Sequence, residues 1–243
     1  IGWYRKSFDT PAGMKPDDRV FVDFDGAYMN TSVYVNGKLL GTRPYGYASF
    51  CYDITDYLNR NGRNVIAVKV DNAEQPNSRW YSGCGIYRNV WLRHTAGVFV
   101  PLWGQHIISD VNATGNGIVS MTTDVRNTTA SARDITVESR MFAPDGKEVA
   151  KVSSKVTAER DTVTVCRQEL TVPSPLLWSP ASPNLYRVET RLITDGKTTG
   201  VYETNTGFRT LAFDAKDGFR LNSERMKIRG VCLHHDAGAL GAV

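Results

Sequence analysis

The stretch Arg229 to Val243, RGVCLHHDAGALGAV, concentrates the groups best suited to chemistry. Two adjacent histidines, His234 and His235, are followed by Asp236. An imidazole and a carboxylate on one face can bind hydroxyl groups or move protons. Side chains alternate along an extended strand. A strand from Met226 to about Asp236 therefore puts Ile228, Gly230, Cys232, His234 and Asp236 on one face. Arg229, Val231, Leu233 and His235 fall on the other. Adjacent histidines on a strand diverge, so this pair does not predict a metal site. The plain alternative is a pair of hydrogen-bonding residues at a strand end.

One face of that strand is small at first and polar at its end; the other wants an apolar neighbour. This is the pattern of the first strand of a (β/α)8 barrel, whose lumen is filled by inward residues and whose site lies at the C-terminal end of its strands. Such a barrel takes roughly 250 residues, and only about 30 are available after residue 211, so the chain carries at most its beginning. A lone barrel strand cannot bury itself. The end of the chain should then be disordered, lie against its neighbour, or pair with another molecule.

The elements that must carry these groups read as strands. RVFVDF alternates, with Val20, Val22 and Phe24 on one face and Phe21 and Asp23 on the other. TSVYVNGKLLG places Asn36-Gly37 between two apolar runs, the strongest short signal for a hairpin. NVIAVKVDN repeats the alternation, and GIYRNVWLRH offers one more strand. Only ITDYLN, residues 54–59, hints at a helical turn. Closely spaced strands without helices predict a sandwich over residues 1–97. A chain opening in WYRKSF is expected to lack part of its first strand. A second run of strands follows, with a turn at PDGK, residues 144–147. Its size fits an immunoglobulin-like sandwich over 98–211. GFRLNSERMK reads as a hairpin turning at Asn222-Ser223-Glu224, the start of a third unit over 212–243. The fold class is all-β.

Composition narrows the function classes. The 243 residues are 41% hydrophobic, enough for real cores. The net charge of +4 is spread without a basic block, so nucleic acid is not the expected partner. No apolar run is long enough for a membrane span. The four cysteines, Cys51, Cys84, Cys166 and Cys232, are far apart and never in CxxC spacing, which predicts small buried residues rather than a zinc site or disulfide framework. The opening IGWYRKSF has no Met and no signal peptide, so the chain reads as the interior of a longer protein.

Four stretches together resemble glycoside hydrolase family 2, especially its β-galactosidase-like members. GWYRKSF at 2–8 is similar to the entry of that family's sugar-binding jelly roll. FDGAYMNTSVYVNGKLLGTRPYGYASFCYDIT at 24–55 is similar to its central strands, and NSRWYSGCGIYRNVWL at 77–92 to its closing strands. GFRTLAFDAKDGFRLNSERMKIRGVCLHHD at 207–236 resembles the join from the Ig-like domain into the barrel. The order of the stretches matches the family's domain order.

The resemblance implies a retaining glycosidase, in which one carboxyl acts as acid/base and the other as nucleophile. In the family both glutamates lie on later barrel strands, so no catalytic residue is expected in this chain and it should be inactive alone. Substrate-binding roles are implied for His234, which matches a histidine contacting sugar hydroxyls, and for Asp236 on the same face. His235 and Asp236 depart from a longer His-Glu-His-His run in many relatives. Arg79 stands where several members have a sugar-contacting aspartate, and a guanidinium offers donors only. Trp80 or Tyr81 could lie under a sugar face or simply pack. The implied partner is carbohydrate, a β-galactoside or related glycan, with β-glucuronidase and β-mannosidase specificity behind, and with self-association into a homo-oligomer open. No cofactor is expected in this chain; a structural or active-site cation would belong to the longer enzyme. The expected location is periplasmic or secreted. The competing reading is a carbohydrate-binding or adhesive module without catalysis, which would have no use for GVCLHHD.

Overall fold

The computed structural model describes residues 1–74 and 83–232. Among them there is no α-helix, only one 3-10 turn at Thr55–Tyr57, within the segment whose sequence hinted at a helical turn. Every pairing between named strands is antiparallel. The strands fall into two compact units whose bodies are Ile1–Thr95 and Ala96–Gly230.

The first unit holds β1 (Gly2–Asp9), β2 (Arg19–Phe24), β3 (Ala27–Tyr28), β4 (Thr31–Val35), β5 (Lys38–Arg43), β6 (Phe50–Asp53), β7 (Arg63–Val70), β8 (Gly85–Ile86) and β9 (Val90–Thr95). One sheet runs β1-β7-β4-β5, a second β6-β2-β9, and a short pair β3-β8 stands beside them. The alternation read in RVFVDF is realised: Val20, Val22 and Phe24 lie in the core with Val33, Val35, Val68 and Val70. Burying side chains of this size contributes about 1.5–3 kcal/mol each. Asp23, on the opposite face, is also buried because Arg93 clamps its carboxylate with two bonds, 2.7 and 3.2 Å. Asn36 and Gly37 take φ of 49° and 81°, as a tight hairpin between β4 and β5 requires. Asn64 is fully buried and ties this end together. Its Oδ1 accepts from Asn36 Nδ2 and the Asn59 amide, and its Nδ2 donates to Thr10 Oγ1. Strand β1 spans eight residues and pairs with β7 along its whole length.

The second unit holds β10 (Val98–Phe99), β11 (Gln105–Val111), β12 (Gly117–Asn127), β13 (Arg133–Phe142), β14 (Glu148–Ala158), β15 (Val163–Val172), β16 (Tyr186–Thr194), β17 (Lys197–Thr206), β18 (Leu211–Asp214), β19 (Gly218–Leu221) and β20 (Glu224–Arg225). β10 and β11 both pair with β12, whose other edge takes β15; the facing sheet is β14-β13-β16-β17. The core has two apolar halves, one around Val125, Ile135, Val137 and Leu192, the other around Val119, Met141, Val188 and Phe208. A buried polar group belongs to the same interior: Ser139 Oγ donates to Gln168 Oε1 (2.7 Å), and Gln168 Nε2 donates to the Val137 carbonyl (2.9 Å). The turn at 144–147 forms as read, with Gly146 at φ 85° and its amide on the Ala143 carbonyl. Asn222 and Ser223 turn β19 into β20 at φ of 51° and 69°.

Two expectations need correction. Residues 226–232 carry no strand assignment, so the described part of the strand read from Met226 does not form as one. Met226 makes one backbone bond, to Phe219, while Ile228 is 70% and Val231 85% exposed. A strand exists only through its ladder, and this segment has none. The cysteines are not uniformly buried: Cys166 is, Cys51 is half-buried, but Cys84 and Cys232 are exposed. Both exposed thiols lie outside the strands, where no sheet covers them.

Candidate functional site

Every side chain singled out for sugar binding lies outside the described residues. Arg79, Trp80 and Tyr81 fall in 75–82, and His234, His235 and Asp236 fall in 233–243. The structure does define the framework to which the first group is attached.

The chain leaves β7 through Asp71. Its amide donates to the Met29 carbonyl (2.9 Å), and its own carbonyl accepts from Asn30 Nδ2 (3.2 Å). The Asp71 carboxylate accepts from Lys69 Nζ (3.0 Å) and from the Ala73 amide (3.2 Å), and the Lys69 bond above all holds its pKa below the ordinary range. The chain returns at Gly85. That residue has φ of 116°, open to glycine alone, and a methyl group there would overlap the Tyr4 hydroxyl. Tyr4 Oη accepts the next amide, that of Ile86, at 3.4 Å. Gly85 and Ile86 pair with Tyr28 and Ala27. Both roots of 75–82 are thus fixed by specific bonds of the first unit.

Beside this return lies a group of tyrosines that the sequence reading passed over. Tyr28 and Tyr47 have ring centroids 5.0 Å apart, and Tyr45 meets Tyr47 at 5.7 Å. Tyr87, two residues after Gly85, donates from Oη to the Gly46 carbonyl (2.8 Å), and burial raises its pKa. Two glycines make room: a Cβ on Gly46 would overlap the Tyr28 ring, and one on Gly26 would sit 2.5 Å from Tyr87. Tyr45, Tyr47 and Tyr87 are exposed. Their rings are apolar faces with polar tips, suited to the mixed surface of a sugar. The available signal was Pro44-Tyr45-Gly46-Tyr47, two aromatics separated by glycine in a loop.

The buried carboxylates among the described residues are already engaged. Asp18 meets His94 Nε2 at 2.8 Å, Asp23 is clamped by Arg93, and Glu189 bonds Arg187 and Arg191. Burial pushes the Glu189 carboxyl up, but those two guanidinium bonds outweigh it and hold its pKa below the ordinary value. Among the described residues no group of three or more His, Cys, Asp and Glu could hold a metal ion.

Comparison with known proteins gives these features a context. Residues 1–96 match the model of the glycosyl hydrolases family 2 sugar binding domain, and residues 101–209 match the model of glycosyl hydrolases family 2. The chain is 45% identical over 244 residues to the β-galactosidase BoGH2A of Bacteroides ovatus, covering 100% of this chain and 28% of that protein. A crystal structure of a family 2 member from Bacteroides cellulosilyticus matches with a TM-score of 0.91 at 37% identity, over 99% of this chain and 33% of that one. The β-glucuronidase of Bacteroides uniformis matches equally well in shape, TM-score 0.91, at 29% identity over 99% of this chain and 30% of its own. The chain therefore spans roughly a third or less of the length of these relatives.

Proposed function

Since this chain belongs to glycosyl hydrolase family 2, we propose that it is the N-terminal, non-catalytic part of a retaining β-glycosidase. Its work in that enzyme is to hold one side of the substrate pocket. The observation that carries this is the conjunction of the two family matches, in order, with the bonds that hold Asp71 and Ile86 and with the exposed tyrosines near Gly85. Arg79 and Trp80 on that segment, and His234, His235 and Asp236 beyond β20, are the proposed sugar contacts. Residues 212–243 are read as the entry to a (β/α)8 barrel.

Chemistry at the anomeric carbon needs two carboxyl groups about 5.5 Å apart, one held protonated and one ionised. We assign neither to this chain. The side chains here bind and orient: hydroxyls and amides take sugar hydroxyl groups, and aromatic rings cover an apolar sugar face. The glycone is proposed to be β-galactosyl, with β-glucuronosyl second and β-mannosyl third, because the relative with 45% identity is a β-galactosidase.

The test is hydrolysis of aryl β-galactoside, β-glucuronide and β-mannoside by the 243-residue chain and by the complete encoded polypeptide. The chain alone should release no aryl alcohol, and the complete polypeptide should prefer the galactoside. Turnover by the purified 243-residue chain would overturn the assignment. A second reading, a sugar-binding module without catalysis, draws on the exposed tyrosines; it requires that the complete polypeptide bind glycans and cleave none.

A further inference from the structure

The Ig-like unit contains an open cleft of about 320 Å³ between β11 and the end of β17. That is the lower end of the range for small-molecule sites. Trp178 and Leu185 form apolar wall, and Gly207 lies at the base. A Cβ on Gly207 would come within 3.2 Å of the Trp178 Cβ and 3.3 Å of the Asn184 carbonyl, so glycine permits the close approach of these segments. The Trp178 amide donates to the Phe208 carbonyl at 2.7 Å, and the Trp178 carbonyl accepts from Asn222 Nδ2 at 3.0 Å. The backbone beneath the indole is held from both sides.

Three polar groups of this cleft have no polar partner among the described residues. Arg209 lies over the Trp178 ring, its guanidinium carbon 5.3 Å from the centroid. Among the described residues it forms no ion pair. Arg140, Arg187 and Arg191 on the neighbouring sheet each hold a glutamate. The side-chain amide of Asn205 and the Trp178 indole N–H likewise have no bond to any described residue. Ser109 Oγ and Thr206 Oγ1 bond each other at 2.6 Å, and both residues line the cleft. A guanidinium is a planar fork of donors that matches a carboxylate with two parallel bonds. Stacking on the indole restrains that fork, so less freedom is lost on binding. Amide and hydroxyl groups beside it suit ring hydroxyls.

We propose that this cleft binds a saccharide unit bearing a carboxylate, a uronosyl residue, with Arg209 on the carboxylate and Asn205, Ser109 and Thr206 on hydroxyl groups. The site uses none of the residues assigned to the glycosidase reading, so either can fail without the other.

The test is titration of the isotope-labelled 243-residue chain with methyl β-glucuronoside, methyl β-galactoside and galactose 6-sulfate. The glucuronoside should shift the Trp178 indole N–H and the amides of Asn205, Thr206 and Gly207, with the other two weaker by about tenfold or more. Arg209→Gln should weaken glucuronoside binding by at least about tenfold. Arg209→Lys, which keeps the charge and loses the fork, should weaken it too; amides outside the cleft should stay in place in both variants. Equal response to the neutral or sulfated sugar, unchanged binding by Arg209→Gln, or no shift at tens of millimolar would overturn the proposal. Calorimetry on the complete encoded polypeptide adds a further condition: binding that vanishes there makes the cleft a packing surface and overturns the assignment.

Discussion

Replacing Gly85 by alanine tests whether the return of the 75–82 segment is held as described. Two separate costs arise. An L-residue at positive φ costs about 1–2 kcal/mol, and Gly85 sits at 116°. The new methyl group also overlaps the Tyr4 hydroxyl, which must move and give up the Ile86 amide at 3.4 Å. A lost hydrogen bond of that kind is worth about 0.5–1.5 kcal/mol. Together Gly85→Ala should destabilise the first unit by about 1.5–3.5 kcal/mol. The two parts separate in a double-mutant cycle with Tyr4→Phe, which removes the hydroxyl and hence the overlap. Tyr4→Phe alone should cost about 1 kcal/mol, and the double variant should cost less than the sum by about 0.5–1 kcal/mol. Hydrogen exchange at the core amides of Val33, Val35, Val68 and Val70 reads this unit separately from the other. Strict additivity, or a Gly85→Ala cost below about 0.5 kcal/mol, would refute the contact between Tyr4 and the return strand.

Three further outcomes follow from the second unit. Glu189 has its carboxyl pKa held below the ordinary value in the folded chain, so its stabilisation is complete above that ordinary value and is lost as pH falls through the lower folded one. Glu189→Gln should therefore flatten the acid limb of a stability-versus-pH curve from urea unfolding, and should cost about 1 kcal/mol at neutral pH because its arginine partners are partly exposed. Gln168→Ala removes the partner of Ser139 and of the Val137 carbonyl inside the sandwich; urea unfolding should show a loss of about 2–4 kcal/mol, against under 0.5 for an exposed control. Phe213 is 78% exposed, its ring tilted against that of Phe219 with centroids 5.1 Å apart. Phe213→Ser should change stability by less than about 0.5 kcal/mol and should reduce any self-association of the 243-residue chain measured by sedimentation.

Legibility in the sequence followed the range of the physics involved. Strand periodicity is local, so Val20, Val22 and Phe24 could be placed on a core face from RVFVDF alone. Turn chemistry is local as well: Asn36-Gly37, Gly146 and Asn222 adopt the positive φ their residue types favour. What could not be read depends on partners distant in the chain. Asp23 alternates outward yet is buried, because Arg93 arrives from β9 across the β2–β9 pairing. Cys84 and Cys232 were read as buried from residue type, while their exposure is set by which sheets cover them. The tyrosine group required knowing that the loop after β5 faces the β3–β8 pair. Residues 226–232 show the same limit in reverse: their alternation is a strand pattern, but a strand is a relation between segments, and the described residues supply no second segment.

The pairing of charges in the two units bears on the role proposed for the chain. An acid/base carboxyl must gain and lose a proton during turnover, which a permanent cation bonded to it opposes. Asp23 and Glu189 are locked in that way, by Arg93 and by Arg187 with Arg191. Asp18 meets His94 Nε2 at 2.8 Å and accepts from the Lys15 amide at 2.9 Å. These acids brace β-sheets. The exposed groups are of another kind: the rings of Tyr45 and Tyr87, and the guanidinium of Arg209 over the Trp178 ring. Donors and aromatic faces recognise hydroxyls, carboxylates and sugar rings without breaking bonds. Among the described residues these groups suit recognition, and that fits the role proposed above, in which the sandwiches hold one side of a sugar site whose catalytic carboxyl groups are assigned elsewhere.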